Sequence, residues 1–237
     1  QQTVTAPDGS IVSGQIANAE LELPNNLKVI DSSNLIFGTG SDAKIFHDGN
    51  NTKFQHTGTG GLYVGADTFA ITNGATDTNH ISVDSNGHVT MPKQSAFLAR
   101  KSSDTNNIAV NSAVTIVFDT EVFDQNADYD TSNGIFTAPV TGRYQINAMV
   151  YMGAVPNDAN YFLIELVASN RSVQDIFRTQ AGDDDWTYQS FQINVLLDMD
   201  ASDTAKINVY QPNGTQQADI LGHGTHAHTS FSGYLAC

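Results

Sequence analysis

What this chain lacks narrows it first. It has a single cysteine, Cys237, so an intrachain disulfide is excluded, and stability has to come from burial or assembly. Basic residues are scarce: 10 Lys and Arg stand against 25 Asp and Glu, for a formal net charge of −15. Only Arg100 and Lys101 are adjacent. Binding to phosphate backbones or anionic membranes draws on clustered cations, so both are excluded as partners. No apolar run approaches the roughly 20 residues of a membrane span, and no signal-peptide pattern opens the chain. The first residue is Gln, which reads as a fragment or a processed product. Gly-X-Y repeats and sustained heptads are missing, so neither collagen nor a coiled coil supplies a stalk. There is no Gly-X-Ser-X-Gly elbow and no glycine-rich phosphate loop before a helix. Cys237 sits at a chain end, a poor place for an activated thiol. The expectation is a protein that is not an enzyme.

What is present changes character near residue 94. Residues 1–94 hold 31 apolar residues and 11 of the 19 glycines, whereas residues 95–237 hold 63 apolar residues. The first part is too poor in apolar side chains to close a core alone. It nevertheless carries short alternating segments at residues 44–47, 53–56, 62–64, 80–84 and 88–91. Turn signals separate them, among them Asp48-Gly49, Asn73-Gly74 and Asn86-Gly87. Such hairpins are marginal alone, but three copies about one axis can share a core. This predicts a linker or shaft start over residues 1–40 and a β-hairpin shaft over 41–94.

Residues 95–237 predict an all-β sandwich of eight to ten strands. Period-2 rows are Tyr144, Ile146, Ala148, Val150, Met152; then Phe162, Ile164, Leu166, Ala168; then Phe191, Ile193, Val195, Leu197; then Ile207 and Val209. No amphipathic helix is visible at the 3.6-residue period.

The run Asn133-Gly-Ile-Phe-Thr-Ala-Pro-Val-Thr-Gly-Arg-Tyr144 and the closing Thr229-Ser-Phe-Ser-Gly-Tyr-Leu235 resemble the globular head of complement component one, subcomponent q, which shares the tumour necrosis factor jelly roll. Gly134, Phe136, Pro139, Gly142 and Tyr144 stand for that family's signature, and Phe231, Gly233 and Tyr234 for its closing strand. Residues 116–118 and 122–123 sit where the family has its paired early strands. The resemblance implies a jelly-roll knob that forms a homotrimer, with these aromatics in the core or near the threefold axis. It transfers no ligand. The plainer reading of Phe136, Tyr144, Phe231 and Tyr234 is simply core. In the first part, residues 42–63, with His47-Asp-Gly and Thr57-Gly-Thr-Gly followed by Leu62-Tyr63, resemble units of marine bacteriophage tail fibres. Residues 8–18 resemble fibre linkers.

Two constellations carry candidate chemistry. His226 and His228 are two apart and would share one face of a strand; with His223 as a lesser member they are candidates for a transition metal on a threefold axis, as in phage fibres with His-X-His pairs. The alternative is a glycine-rich polar loop with exposed imidazoles. Asp183, Asp184, Asp185 and Trp186 are candidates for a receptor loop or a calcium site. The alternatives are a solvated acidic loop and a half-buried core indole. Together these readings point to a virion appendage attaching a particle to a host glycan or envelope protein, with other virion proteins at its N-terminal end. Two alternatives stay open: a structural trimerisation or capsid-decoration protein, and a secreted bacterial lectin-like adhesin.

Overall fold

A computed structural model describes residues 31–179 and 184–237. The linker-like residues 8–18, and Asp183, lie outside the described residues. The chain divides into two units, Gln1–Ala66 and Asp67–Cys237. The described residues contain no helix, hence none long and apolar enough to cross a membrane.

In the first unit, β1 (Asn34–Phe37), β2 (Ala43–His47) and β3 (Thr52–His56) form an antiparallel meander. Asp48 makes the β2–β3 turn by accepting the amide hydrogens of Asn50 and Asn51 at 3.0 and 2.8 Å. The Lys53 ammonium bonded to it, and these amides, hold its carboxyl far below the usual carboxylate range. The expected segment at residues 62–64 is not a strand. Bracketed by Gly60-Gly61 and Gly65, it has no ladder partner, and Tyr63 is 91% exposed.

The second unit begins with another three-stranded meander, β4 (Phe69–Thr72), β5 (Asn79–Val83) and β6 (Val89–Thr90). The sandwich follows: β7 (Ala96–Arg100), β8 (Ala113–Thr115), β9 (Thr120–Asp124), β10 (Tyr129–Asp130), β11 (Ile135–Thr137), β12 (Gly142–Val155), β13 (Phe162–Ala168), β14 (Ser172–Phe177), β15 (Trp186–Met199), β16 (Thr204–Tyr210), β17 (Asp219–Ile220) and β18 (Ser230–Leu235). One sheet runs β10-β11-β16-β13-β14, with β8 on β16. The other runs β15-β12-β18-β7-β9, with β17 on β12. More strands form than the eight to ten expected, because β8, β10, β11 and β17 are only two or three residues long. Runs that short carry no period for a sequence to display.

The core lies between the two sheets, and the alternating rows fill it. Tyr144, Ile146, Val150, Met152, Phe162, Ile164, Leu166, Ile207 and Val209 are all fully buried, whereas Val195 is half-buried. Residues 116–118 are not a strand: β9 pairs with β7 instead, while Ile116 and Phe118 enter the core. Phe97 organises an aromatic cluster, stacking on Phe136 at 4.8 Å and Tyr129 at 5.2 Å and meeting Phe231 edge-on at 5.1 Å. The Tyr129 hydroxyl is satisfied inside this cluster. It accepts from the Phe118 amide and donates to the Phe118 carbonyl, at 3.2 and 3.1 Å.

Two glycines answer to geometry. Gly134, in the Asn133-Gly134 turn before β11, has φ +79°, and a Cβ there would lie 2.6 Å from the Ile116 carbonyl oxygen. Gly233 is on the core face of β18, where a Cβ would come within 2.7 Å of Ile146 Cδ1 and 2.9 Å of Phe97 Cε1.

Three residues of the signature are not core, one being Gly142, which is only partly buried at the start of β12. Pro139 is exposed in the turn before β12, where its ring fixes φ. Tyr234 is 50% exposed, because it alternates with the buried Phe231 and Gly233 and so faces outward from β18.

Candidate functional site

The sandwich places its chemistry by end and by face. β7 begins beside the end of β18, where Ala96 pairs with Tyr234. At the opposite end lie the start of β18, the far half of β12 and the start of β15, where Val155 pairs with Trp186. Both constellations singled out in the sequence fall at this opposite end.

The three histidines do come together, but not on a strand. Residues 221–229 are a loop. Arg100 Nη1 donates to the His223 carbonyl at 2.6 Å, and the Gly222 amide donates to Asp104 Oδ1 at 2.8 Å. Thr229 Oγ1 donates to the Leu221 carbonyl at 2.5 Å and accepts from the Tyr151 amide at 3.0 Å. These bonds gather the rings of His223, His226 and His228 to centroid separations of 4.5, 5.1 and 5.6 Å.

The hydrogen bonds exclude His223 from metal ligation. Its Nδ1 lies 3.1 Å from the Thr225 amide nitrogen and 3.0 Å from that of His226. Amide N–H groups only donate, so Nδ1 accepts, and the neutral ring carries its hydrogen on Nε2. No ring lone pair is then left for a cation. Partial burial, then the neighbouring His226, His228 and Arg100, push the His223 pKa below 6.5. Among the described residues, no group of three or more His, Cys, Asp or Glu side chains could hold a metal ion. Among the described residues, then, neither the histidines nor Asp184 and Asp185 form such a group within one chain; the transition metal expected on a threefold axis would draw on three copies.

Asp184 is exposed, and Asp185 is fixed by accepting the Asn157 amide at 2.8 Å. Trp186 is half-buried and stacks on Phe177 at 6.3 Å, packing against the end of the core. Asp185 and Trp186 border a cleft of about 390 Å³ whose other walls include Gly153, Tyr188, Gln216, Asp219 and Leu221. Beside it is a second, open groove of about 250 Å³ lined by Met149, Tyr151, Ser190 and His228. Tyr151 joins the two. It stacks on Tyr188 at 5.7 Å and takes the edge of His228 at 5.5 Å. The result is an aromatic ledge of rings next to carboxylates and amides, an arrangement suited to a ligand with apolar faces and hydroxyl edges.

The sequence reading missed Tyr151, Tyr188, Gln216 and Asp219. The signal for two of them was alternation: if Val150 and Met152 face in, Tyr151 faces out, and Tyr188 is three before the buried Phe191. Gln216 and Asp219 carried no signal, since a loop folds them in.

The outward face of this sheet has one further property. On β15, β12 and β18 the outward rows run Leu196-Gln145-Tyr234, Asn194-Asn147-Ser232 and Gln192-Met149-Ser230, then Ser190-Tyr151. None of these residues is charged, in a chain of net charge −15. On these three strands charges return at the Arg143–Asp198 row, and on β7 Arg100 continues the row of Ser230. The outward positions of the other sheet include Glu165 and Lys206.

No curated protein sequence matches the chain. Among solved structures it is similar to the globular domain of zebrafish complement 1qA protein, with 14% identity and a TM-score of 0.45 over 61% of this chain and 98% of that one. It is also similar to murine APRIL, with 13% identity and a TM-score of 0.40 over 60% of this chain and 98% of that one. The model of the C1q domain matches residues 96–236, more than half of the chain, and the protein therefore belongs to the C1q-domain family.

Proposed function

We propose that this protein is a trimeric fibre of a virus particle, of the bacteriophage tail-fibre kind, whose C-terminal knob attaches the particle to the host surface. Residues 1–94 form its shaft and residues 95–237 its knob. The reading is one of binding without catalysis, at an external appendage of the virion.

Domains of this family are typically trimeric and bind ligands. The observation that carries the homotrimer here is the uncharged outward face of β15, β12 and β18. Three chains of −15 repel one another, and a face free of charge lets them meet without burying an unpaired ion. The viral assignment draws on the resemblance of residues 42–63 to fibre units. The attachment role draws on the cleft and ledge, which hold Trp186, Tyr188 and Tyr151 beside Asp185 and Asp219. Carboxylates accept from sugar hydroxyls, and ring faces stack on pyranose rings, so a host glycan is the preferred ligand. Each contact is weak, and three per fibre on several fibres make attachment strong through effective concentration.

The test is competition for adsorption. Soluble protein blocks adsorption of the parent particle, and Asp184→Ala with Trp186→Ala relieves the block while the trimer persists in sedimentation. A double variant that competes undiminished removes this loop from the receptor site. If the unaltered protein also fails to compete, the role is structural.

A further inference from the structure

We infer that the two three-stranded sheets ahead of the sandwich each bury one face against the same face of other copies of this chain. The inference rests on the homotrimer proposed above and says where, outside the C1q domain, the copies meet.

Pairing fixes which side chains share a face. In the first sheet Leu35, Ile45 and Phe54 are one cross-strand row, and Phe37 lies in the next row on that side. Leu35, Phe37 and Phe54 are 39%, 48% and 55% exposed. The reverse side is managed differently. Phe46 there lies under the Lys53 ammonium at 5.7 Å, and Ile36, though exposed, stands in a row with Lys44 and Gln55. The second sheet repeats the design. Phe69, Val83 and Val89 form one row, with Ile71 and Ile81 paired beside it. Phe69, Ile71 and Val89 are 44%, 48% and 60% exposed. The reverse row is Ala70, Ser82 and Thr90.

The second sheet alternates cleanly and the first has its charged residues on one side only, the pattern of sheets with one side buried and the other wet. A single three-stranded layer cannot bury its own face, and a contiguous apolar patch of this kind marks an interaction surface. Charge selects the occupant. No acidic residue stands in either apolar row, although the chain carries 25. Identical acidic chains can therefore meet there without repulsion. Two successive sheets that both keep one apolar, acid-free side fit one repeated partner, the same chain, held close by a trimeric sandwich.

Single-cysteine chains test this, since Cys237→Ser leaves none. In that background of the full chain, Phe54→Cys and Val89→Cys place a thiol on the apolar sides, and Gln55→Cys and Thr90→Cys place one on the reverse sides. Under mild oxidation the first pair gives chain-to-chain disulfides on a non-reducing gel and the second pair stays single. Leu35→Cys, in the same row as Phe54, repeats the test with a smaller loss of packing. Sedimentation of each variant separates the outcomes. A trimer that cross-links at neither 54, 35 nor 89, or equally on both sides, overturns the inference and leaves the homotrimer standing. A monomer that does not cross-link overturns both.

Discussion

The Tyr144 hydroxyl donates to the carbonyl oxygen of Val140 at 2.8 Å, tying the start of β12 to the turn that leads into it. The same ring is fully buried and meets Phe136 edge-on at 5.5 Å. Burial raises the phenol's pKa, with the Asp128 charge adding to it, so the hydroxyl stays a donor. Tyr144→Phe keeps the ring and removes the bond donated to the Val140 carbonyl and the longer one, 3.4 Å, accepted from the Val140 amide, at a cost of about 1–2 kcal/mol. Tyr144→Ala, Phe136→Ala and Phe231→Ala each empty a core site and cost about 3–5 kcal/mol per chain. Denaturant midpoints separate the two classes. Equal losses for Tyr144→Phe and Tyr144→Ala would mean that the hydroxyl, not the packing, holds this corner.

Gly134 and Gly233 are needed for different reasons, and one second-site change tells them apart. Gly134→Ala meets a rigid carbonyl in a positive-φ turn and costs roughly 1–3 kcal/mol. Gly233→Ala meets Ile146 Cδ1, a side-chain methyl, and costs about 1–3 kcal/mol by overpacking. Ile146→Val deletes that methyl. The double variant Gly233→Ala, Ile146→Val should therefore lie above the sum of its single losses in melting experiments, and the pair Gly134→Ala, Ile146→Val should simply add.

These positions also show how far the sequence could be read. The long strands were legible because β12, β13, β15 and β16 alternate over 7 to 14 residues against one core. Gly134 and Phe136 carried the family resemblance. Tyr234 belonged to the same motif but faces out, since a motif records identity and not direction. The histidines were legible as a cluster and misread as a strand. Their grouping comes from Arg100 and Asp104, more than 100 residues away in sequence. β1 and β4 went unread because Leu35-Ile36-Phe37 and Phe69-Ala70-Ile71 are unbroken apolar runs that do not alternate.

His223 gives the loop a pH dependence with a definite sign. Its pKa in the folded chain lies below the ordinary 6.5, so the unfolded chain binds the proton more readily. The stabilisation of the folded loop is whole above pH 6.5 and is lost as pH falls through the depressed value. Protonation also removes the Nδ1 acceptor used by the Thr225 and His226 amides. Nitrogen-detected NMR should show a neutral ring with its hydrogen on Nε2 and a titration midpoint below 6.5. A midpoint above 6.5, or hydrogen on Nδ1, would reopen His223 as a metal ligand.

The uncharged sandwich face makes the sharpest prediction about assembly. Asn147 lies in the middle row of that face, paired with Asn194 on one side and Ser232 on the other. If copies meet there, Asn147→Asp sets three like charges in a desolvated seam, and the trimer dissociates at concentrations where the original holds. Asn147→Lys should do the same although it lowers the net negative charge, because the cost is desolvation of an unpaired ion rather than overall repulsion. Ser172→Asp, exposed on β14 in the other sheet, adds the same charge as Asn147→Asp and should leave the trimer intact. Sedimentation velocity over a concentration series reads all three. Asn147→Lys tightening the assembly would mean that net charge, not this face, governs it. If Ser172→Asp dissociates the trimer as readily as Asn147→Asp, the copies meet through the other sheet.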